Sequence, residues 1–227
     1  MPPTNADLSR LVPELFDAER NVRRLHGQLV KSDASALLDV VSTQVTEALA
    51  LDDEDEAALR LVRLASVLGE LEGPRAVDLL IDILASEEPE ARNCAGEALS
   101  DLAFDRFKEV ALGVERALER LPVGSPALLE LPYLLAEIAE PGVRKLLGRF
   151  LAHADPEAVA AAIEAIVDMG DAGAASLLGP LGDDKRRVSL EDEEGEEGTV
   201  TLGELAREAV KLLAEIEGPE VGKGGKR

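Results

Sequence analysis

The chain has 227 residues, 46% hydrophobic but only 2% aromatic, so its interior has to be built from Leu, Ala, Val and Ile. Its formal charge of −22, from 46 acids against 24 bases, excludes a general phosphate-tracking or anionic-lipid-binding surface, because those affinities come from Lys and Arg displacing counterions. A single cysteine, Cys94, excludes an internal disulfide framework, and no apolar run approaches the ~18 residues that a membrane-spanning helix needs.

The first residues, Met1-Pro2-Pro3-Thr4-Asn5-Ala6-Asp7, contain neither a basic region nor an apolar stretch of signal-peptide type. The expectation is a cytoplasmic protein. Residues 1–50 carry a charge of only −2 (5 basic, 7 acidic) and are expected to form an N-terminal helical cap. Asn5 or Asp7 would start a short helix through Phe16. A second helix, Asp17 to Val30, would hold Val22, Leu25 and Leu29 on one stripe and Arg20, Arg23 and Arg24 on the other. A third, from about Ser32 to Ala50, places Leu37, Leu38, Val41, Val45 and Leu49 at helical spacing. Asp52-Asp53-Glu54-Asp55-Glu56 then opens a helix to about Leu71, with carboxylates favourably placed against the positive end of the helix dipole.

Residues 51–217 repeat. Leu68-Gly69-Glu70-Leu71, Leu99-Ser100-Asp101-Leu102, Leu135-Ala136-Glu137-Ile138, Ile166-Val167-Asp168-Met169 and Leu213-Ala214-Glu215-Ile216 share the pattern apolar–small–acid–apolar, with one departure, the Val167 in the small position. They start 31, 36, 31 and 47 residues apart. A period near thirty points to stacked helical hairpins. The first helix of each pair would follow Pro74, about Asp105, Pro141 and Asp171, with apolar stripes such as Val77-Leu80-Ile81-Leu84 and Leu177-Leu178-Leu181. The second helices would start at Glu88-Pro89-Glu90 and Asp155-Pro156-Glu157, with Pro in the first turn behind a capping acid.

The last spacing exceeds the 31-residue ones by about sixteen residues. Lys185 to Leu190 and Thr199 to Leu202 alternate in period two around the polar loop Glu191 to Gly198, the pattern of a β-hairpin inserted over about 185–202. Val188, Leu190, Val200 and Leu202 would cover the last layer while the acidic tip faces solvent. Gly218 to Arg227 reads as a disordered tail.

The run Glu88-Pro89-Glu90-Ala91-Arg92, followed by Ala95-Gly96-Glu97-Ala98-Leu99-Ser100-Asp101-Leu102 and an apolar helix, resembles a HEAT repeat of the short kind named after phycobilin lyases. The resemblance covers about Glu54 to Glu217 and implies an all-α fold, an α-solenoid of about five helical hairpins. It implies no particular activity, since such repeats serve lyases, scaffolds, adaptors and some DNA-repair glycosylases. The unit from Asp105 to Glu140 departs from the pattern, with Pro126 and Pro132 and no Asp-Pro turn.

Catalytic chemistry finds little to stand on. His26 and His153 sit in no ligand-spaced motif. The tip's six acids lack the order of an EF-hand loop, and Gly222-Lys223-Gly224-Gly225-Lys226 lacks the hydroxyl residue and helix of a phosphate loop. No catalytic residue, cofactor or metal is expected, and the chain is expected not to be an enzyme. The recurring acid remains. With the residue four positions earlier on the same helix face, it forms the pairs Ser66/Glu70, Glu97/Asp101, Tyr133/Glu137, Glu164/Asp168 and Lys211/Glu215. A carboxylate in the last turn of a helix opposes the dipole, so its recurrence needs a cause. The acids could bond backbone at the turn or offset an arginine of a neighbouring unit. Alternatively they line a concave acidic surface, in which Glu97, Asp101, Tyr133, Glu137, Glu164, Asp168, Lys211 and Glu215 bind a partner. The expected function is a protein-binding adaptor for a basic protein, with no nucleic acid and no membrane, monomeric on its own. The alternatives are an acidic immunity-type inhibitor of a nuclease or other basic toxin, and a lyase or chaperone acting on a chromophore protein.

Overall fold

The computed structural model describes residues 4–191 and 197–217. The tip of the acidic loop and the Gly-rich tail lie outside the described residues. Among the described residues ten α-helices follow in order: α1 Asn5–Leu29, α2 Ala34–Ala48, α3 Glu54–Leu68, α4 Pro74–Leu84, α5 Pro89–Arg120, α6 Pro126–Ala136, α7 Gly142–Leu151, α8 Pro156–Asp168, α9 Ala175–Leu178 and α10 Leu202–Glu217. Strands β1 (Arg187–Glu191) and β2 (Glu197–Thr201) pair antiparallel between α9 and α10, with Val188 opposite Val200. The class is all-α with one small hairpin. No helix among the described residues is long and apolar enough to cross a membrane.

The helix starts follow local rules. Thr4 and Asp7 form a reciprocal capping box at α1, Asp33 accepts from the Ala36 amide at α2, and Asp53, inside the acidic run, accepts from the Glu56 amide at α3. Pro89 and Pro156 stand in the first turns of α5 and α8. The paired acids differ, however: Asp155 caps α8, whereas the Glu88 side chain makes no capping bond at α5. Glu is one methylene longer than the residues that reach the N2 or N3 amide from this position.

Three elements depart from the sequence reading. The two short helices expected before Val30 are one helix of 25 residues, with Pro13 inside it. The break expected near Asp105 is a kink at a single residue, Arg106 (φ −136°, ψ 48°), which divides α5 into arms 89–105 and 107–120. Finally, the helix expected after Asp171 is broken into a 3-10 turn, the four residues of α9 and a second 3-10 turn. Gly173, Gly179, Pro180 and Gly182 are poor helix formers, yet Leu178 and Leu181 are buried as their stripe requires.

The core is one continuous cluster running from α2 to α10. The first residue of every repeated word, Leu68, Leu99, Leu135, Ile166 and Leu213, is fully buried. Helices α3, α5, α6, α8 and α10 pack each on the next, and α2, α4, α5 and α7 do likewise. Small residues set the approach distances. A Cβ on Gly69 would lie 3.1 Å from the Ala98 Cβ, and one on Gly113 would overlap Val77 Cγ1.

Inter-helix turns are pinned by charged side chains about one unit further along. The Gly73 amide (φ +106°) donates to Glu109 Oε1 at 2.6 Å, and Arg106 Nη2 donates to the Leu71 carbonyl at 3.0 Å. The Gly124 amide (φ +85°) donates to Asp155 Oδ2 at 2.7 Å, while Asp155 Oδ1 accepts from the Glu157 amide. Asp155 is 1% exposed, so a single carboxylate both caps α8 and satisfies the preceding turn. At the stem of the hairpin Arg186 Nη1 donates to the His153 carbonyl at 2.7 Å, and the same guanidinium pairs with Asp184. The hydrogen bonds to Arg186 hold the Asp184 carboxyl below its usual range. Val188 of β1 and Leu202 at the start of α10 are buried, and Val200 of β2 packs against the core.

Candidate docking face

The acids in the third position of the repeated words lie at or near helix C-termini in four units and within a helix in the other. Glu70 follows the C-terminus of α3, Asp101 lies within α5, Glu137 caps the C-terminus of α6, Asp168 ends α8 and Glu215 lies in the last turn of α10; all five are exposed. Glu97 and Lys211 are exposed as well, and Glu164 is half-buried.

Tyr133 and Glu164 are brought together across α6 and α8. The Tyr133 hydroxyl donates to Glu164 Oε2, and burial, this bond, and the charges of Glu164 and Asp168 push the phenol above its ordinary range. Tyr133 therefore stays neutral, with its hydroxyl already engaged. A cleft of about 250 Å³ on one side of it is lined by Leu84, Gly96, Ser100, Glu130, Tyr133 and Glu137, among others. A second cleft, about 340 Å³, lies between α8 and α10; Ile163, Glu164, Val167 and Asp168 line it from one side and Leu205, Glu208, Ala209 and Leu212 from the other. Both combine an apolar floor with carboxylates.

Of the eight candidate residues, Tyr133, Glu137, Glu164 and Asp168 thus line one or the other of the two clefts. Glu97, Asp101, Lys211 and Glu215 line neither cleft. On α5 the lining positions are Gly96 and Ser100, each one residue from the expected pair, and on α10 they are Leu205, Glu208, Ala209 and Leu212. The sequence reading missed Glu130 and Glu208. The signal available for Glu130 was its position one turn before Tyr133 on the same helix.

Backbone bonds and neighbouring arginines leave most of the recurring acids unengaged. Among the described residues, Asp101, Glu137, Asp168 and Glu215 accept no hydrogen bond from backbone and form no ion pair; Glu70 alone is engaged, with His26 Nε2 at 2.5 Å. Arginines do bridge successive helices elsewhere. Arg75 pairs with Asp39, Arg116 with Asp78, Arg120 with Asp82, and Arg149 with Glu115 and Glu119, all along α2, α4, the second arm of α5, and α7. Arg92 of the first arm of α5 reaches Glu130 at 2.9 Å, at the edge of the first cleft. The carboxylates of the repeated word lie outside this ladder.

Cys94 is half-buried, its Sγ 3.5 Å from the Val62 carbonyl. Burial, reinforced by Glu97 and opposed by Arg63, raises its thiol above the ordinary range, so it is a poor nucleophile. No group of three or more His, Cys, Asp or Glu side chains fit to hold a metal ion occurs among the described residues.

No protein-family model matches the chain, and no curated protein matches it. A crystal structure described as an engineered protein aligns over 86% of this chain and 89% of its own, with 19% identity and a TM-score of 0.33. A likeness at that level carries no argument about fold or function.

Proposed function

We propose that the protein is a non-enzymatic adaptor, a short right-handed solenoid of HEAT-like hairpins of the phycobilin-lyase-like kind, which binds a basic protein partner through the face containing Tyr133, Glu137, Glu164 and Asp168. The solenoid reading is supported by the serial packing of α3, α5, α6, α8 and α10 together with the recurring word. The observation that carries the binding reading is that, among the described residues, Asp101, Glu137, Asp168 and Glu215 are exposed and engage neither backbone nor arginine, although arginines bridge the helices elsewhere. Like charges without internal partners cost stability, and an external cation removes that cost. The apolar floors of the two clefts would receive the uncharged side chains of an amphipathic basic helix, and the acids would speed its approach.

The test is capture of partners from the native host by the wild-type chain and by the double variant Glu137→Lys, Asp168→Lys, with melting followed in parallel. The expected result is a saltable complex lost in the variant while its melting temperature is unchanged. Equal capture by both chains overturns the assignment of the face.

A further inference from the structure

Two gaps between turns of successive units are built differently. In one, Asp155 ties the turn before α8 to the turn before α6 through the Gly124 amide. Its counterpart at the start of α5 is Glu88, which also precedes a proline but makes no capping bond. Here the turn 85–88 and the turn before α3 leave between them a cavity of about 460 Å³. The buried side chains of Ala48, Ala57 and Leu61 supply apolar lining, and Asp52, Glu54, Glu87 and Glu88 stand in the same wall.

Those four acids are unmatched. Among the described residues they accept no hydrogen bond and pair with no base; Arg60 is taken by Glu56 and Arg92 by Glu130. Helices α2 and α4 both end beside the cavity, so the negative ends of two dipoles add to the charge. The positive end of α3 is already answered by Asp53, its cap. A second observation is independent of charge. Ser86 is 8% exposed, belongs to the cavity wall, and its Oγ has no hydrogen-bond partner among the described residues. A buried hydroxyl left without a partner is costly, and a ligand N–H supplies the missing bond.

We propose that this cavity binds a linear aliphatic polyamine, with its ammonium groups on the four carboxylates, one N–H on Ser86 Oγ, and its methylene segments against Ala48, Ala57 and Leu61. The distribution of charge selects this class. No group of three or more His, Cys, Asp or Glu side chains among the described residues is fit to hold a metal ion, so the acids suit a cation whose charges are spread as theirs are. An apolar wall offers nothing to a hydrated metal ion but receives methylene groups. The cavity shares no lining residue with the two clefts beside Tyr133 and Glu164, so the proposal stands apart from the reading of that face.

Titration calorimetry of the full chain with spermidine tests the proposal. One spermidine per chain is expected. Ser86→Ala should weaken binding about 10-fold without lowering the melting temperature, because the variant also removes the unpartnered hydroxyl. Glu54→Gln with Glu87→Gln should weaken it at least as much. The charge-matched control, Glu137→Gln with Asp168→Asn, removes two negative charges elsewhere and should leave the affinity within about 2-fold of wild type. Absence of binding, or unchanged affinity in Ser86→Ala, overturns the proposal. Equal weakening by the two double variants also overturns it, since the binding then follows the net charge of the chain. If a lysine-rich peptide binds with the Ser86 dependence and spermidine does not, the cavity takes a partner's side chain and the polyamine assignment falls.

Discussion

Acids on two sets of helices meet different fates. Along α4, the second arm of α5, and α7, carboxylates are matched by arginines of the neighbouring helix: Arg116 reaches Asp78 with Nε at 3.0 Å and Nη2 at 2.8 Å, and Arg120 and Arg149 continue the series. On α6, α8 and α10, Glu137, Asp168 and Glu215 meet no cation among the described residues. The chain contains 24 bases for 46 acids, so where the arginines go is a choice among competing acids. Between helices they go to the acids of the ladder and to Glu130, while Asp101, Glu137, Asp168 and Glu215 are left facing solvent. Net charge alone would not separate structural carboxylates from available ones; the bonding pattern does.

That contrast can be broken or sharpened by experiment, starting with the acid expected to matter most. Asp155 is buried and serves two backbone groups, so Asp155→Ala should cost about 3 kcal/mol, from a lost cap and a stranded Gly124 amide. Chemical denaturation checks this, and a cost below that of any ladder arginine would contradict the double role. Next is Gly113, where α4 and α5 come closest. Gly113→Ala would drive a methyl into Val77 and should cost about 2 kcal/mol.

Within the ladder itself, Arg116→Ala should cost about 1 kcal/mol, the upper range for a partly exposed pair with two-pronged geometry. The matching change in the row, Glu137→Lys, should leave stability within about 0.5 kcal/mol of wild type or raise it slightly, because it relieves like-charge repulsion. If the two substitutions shift the denaturation midpoint equally, the distinction between the sets disappears. The smallest effect concerns pH. The Asp184 carboxyl titrates below its unfolded value because of Arg186. The stability it contributes is therefore present above the unfolded value, about 4, and is lost as pH falls through the lower folded value. Asp184→Asn should be less stable than wild type near neutrality, and the two should converge in acid; a gap that persists at the acid end would assign the effect to packing of the side chain.

Much of the helical pattern could be read locally. The starts of α2 and α3 follow acids, those of α5 and α8 follow acid–proline dipeptides, and the hairpin stands where the alternating segments place it. The misreadings are also local in origin. Asp17 looks like a helix start, but the capping box at Thr4 had already started a helix that runs through Pro13 to Leu29. Asp105 looks like a turn, yet the chain turns on Arg106 alone because that side chain reaches back to the Leu71 carbonyl. For the candidate face, exposure of the repeated acids was legible. Which neighbours they would share was not, as Glu130 and Glu208 illustrate.

The sequence by itself determined the buried first residue of each repeated word and the starts of α2, α3, α5 and α8, because a 3.6-residue periodicity and a capping acid act within a turn or two of chain. The tertiary structure decided the pairings: Tyr133 with Glu164, Arg116 with Asp78, Asp155 with the Gly124 amide, all 31 to 38 residues apart. Each depends on how far one helix is rotated about its own axis against the next. That rotation is set by close contacts such as Gly69 on Ala98 and Gly113 on Val77, and a shift of one residue turns a side chain by about 100°, enough to move a carboxylate from a cleft to open solvent.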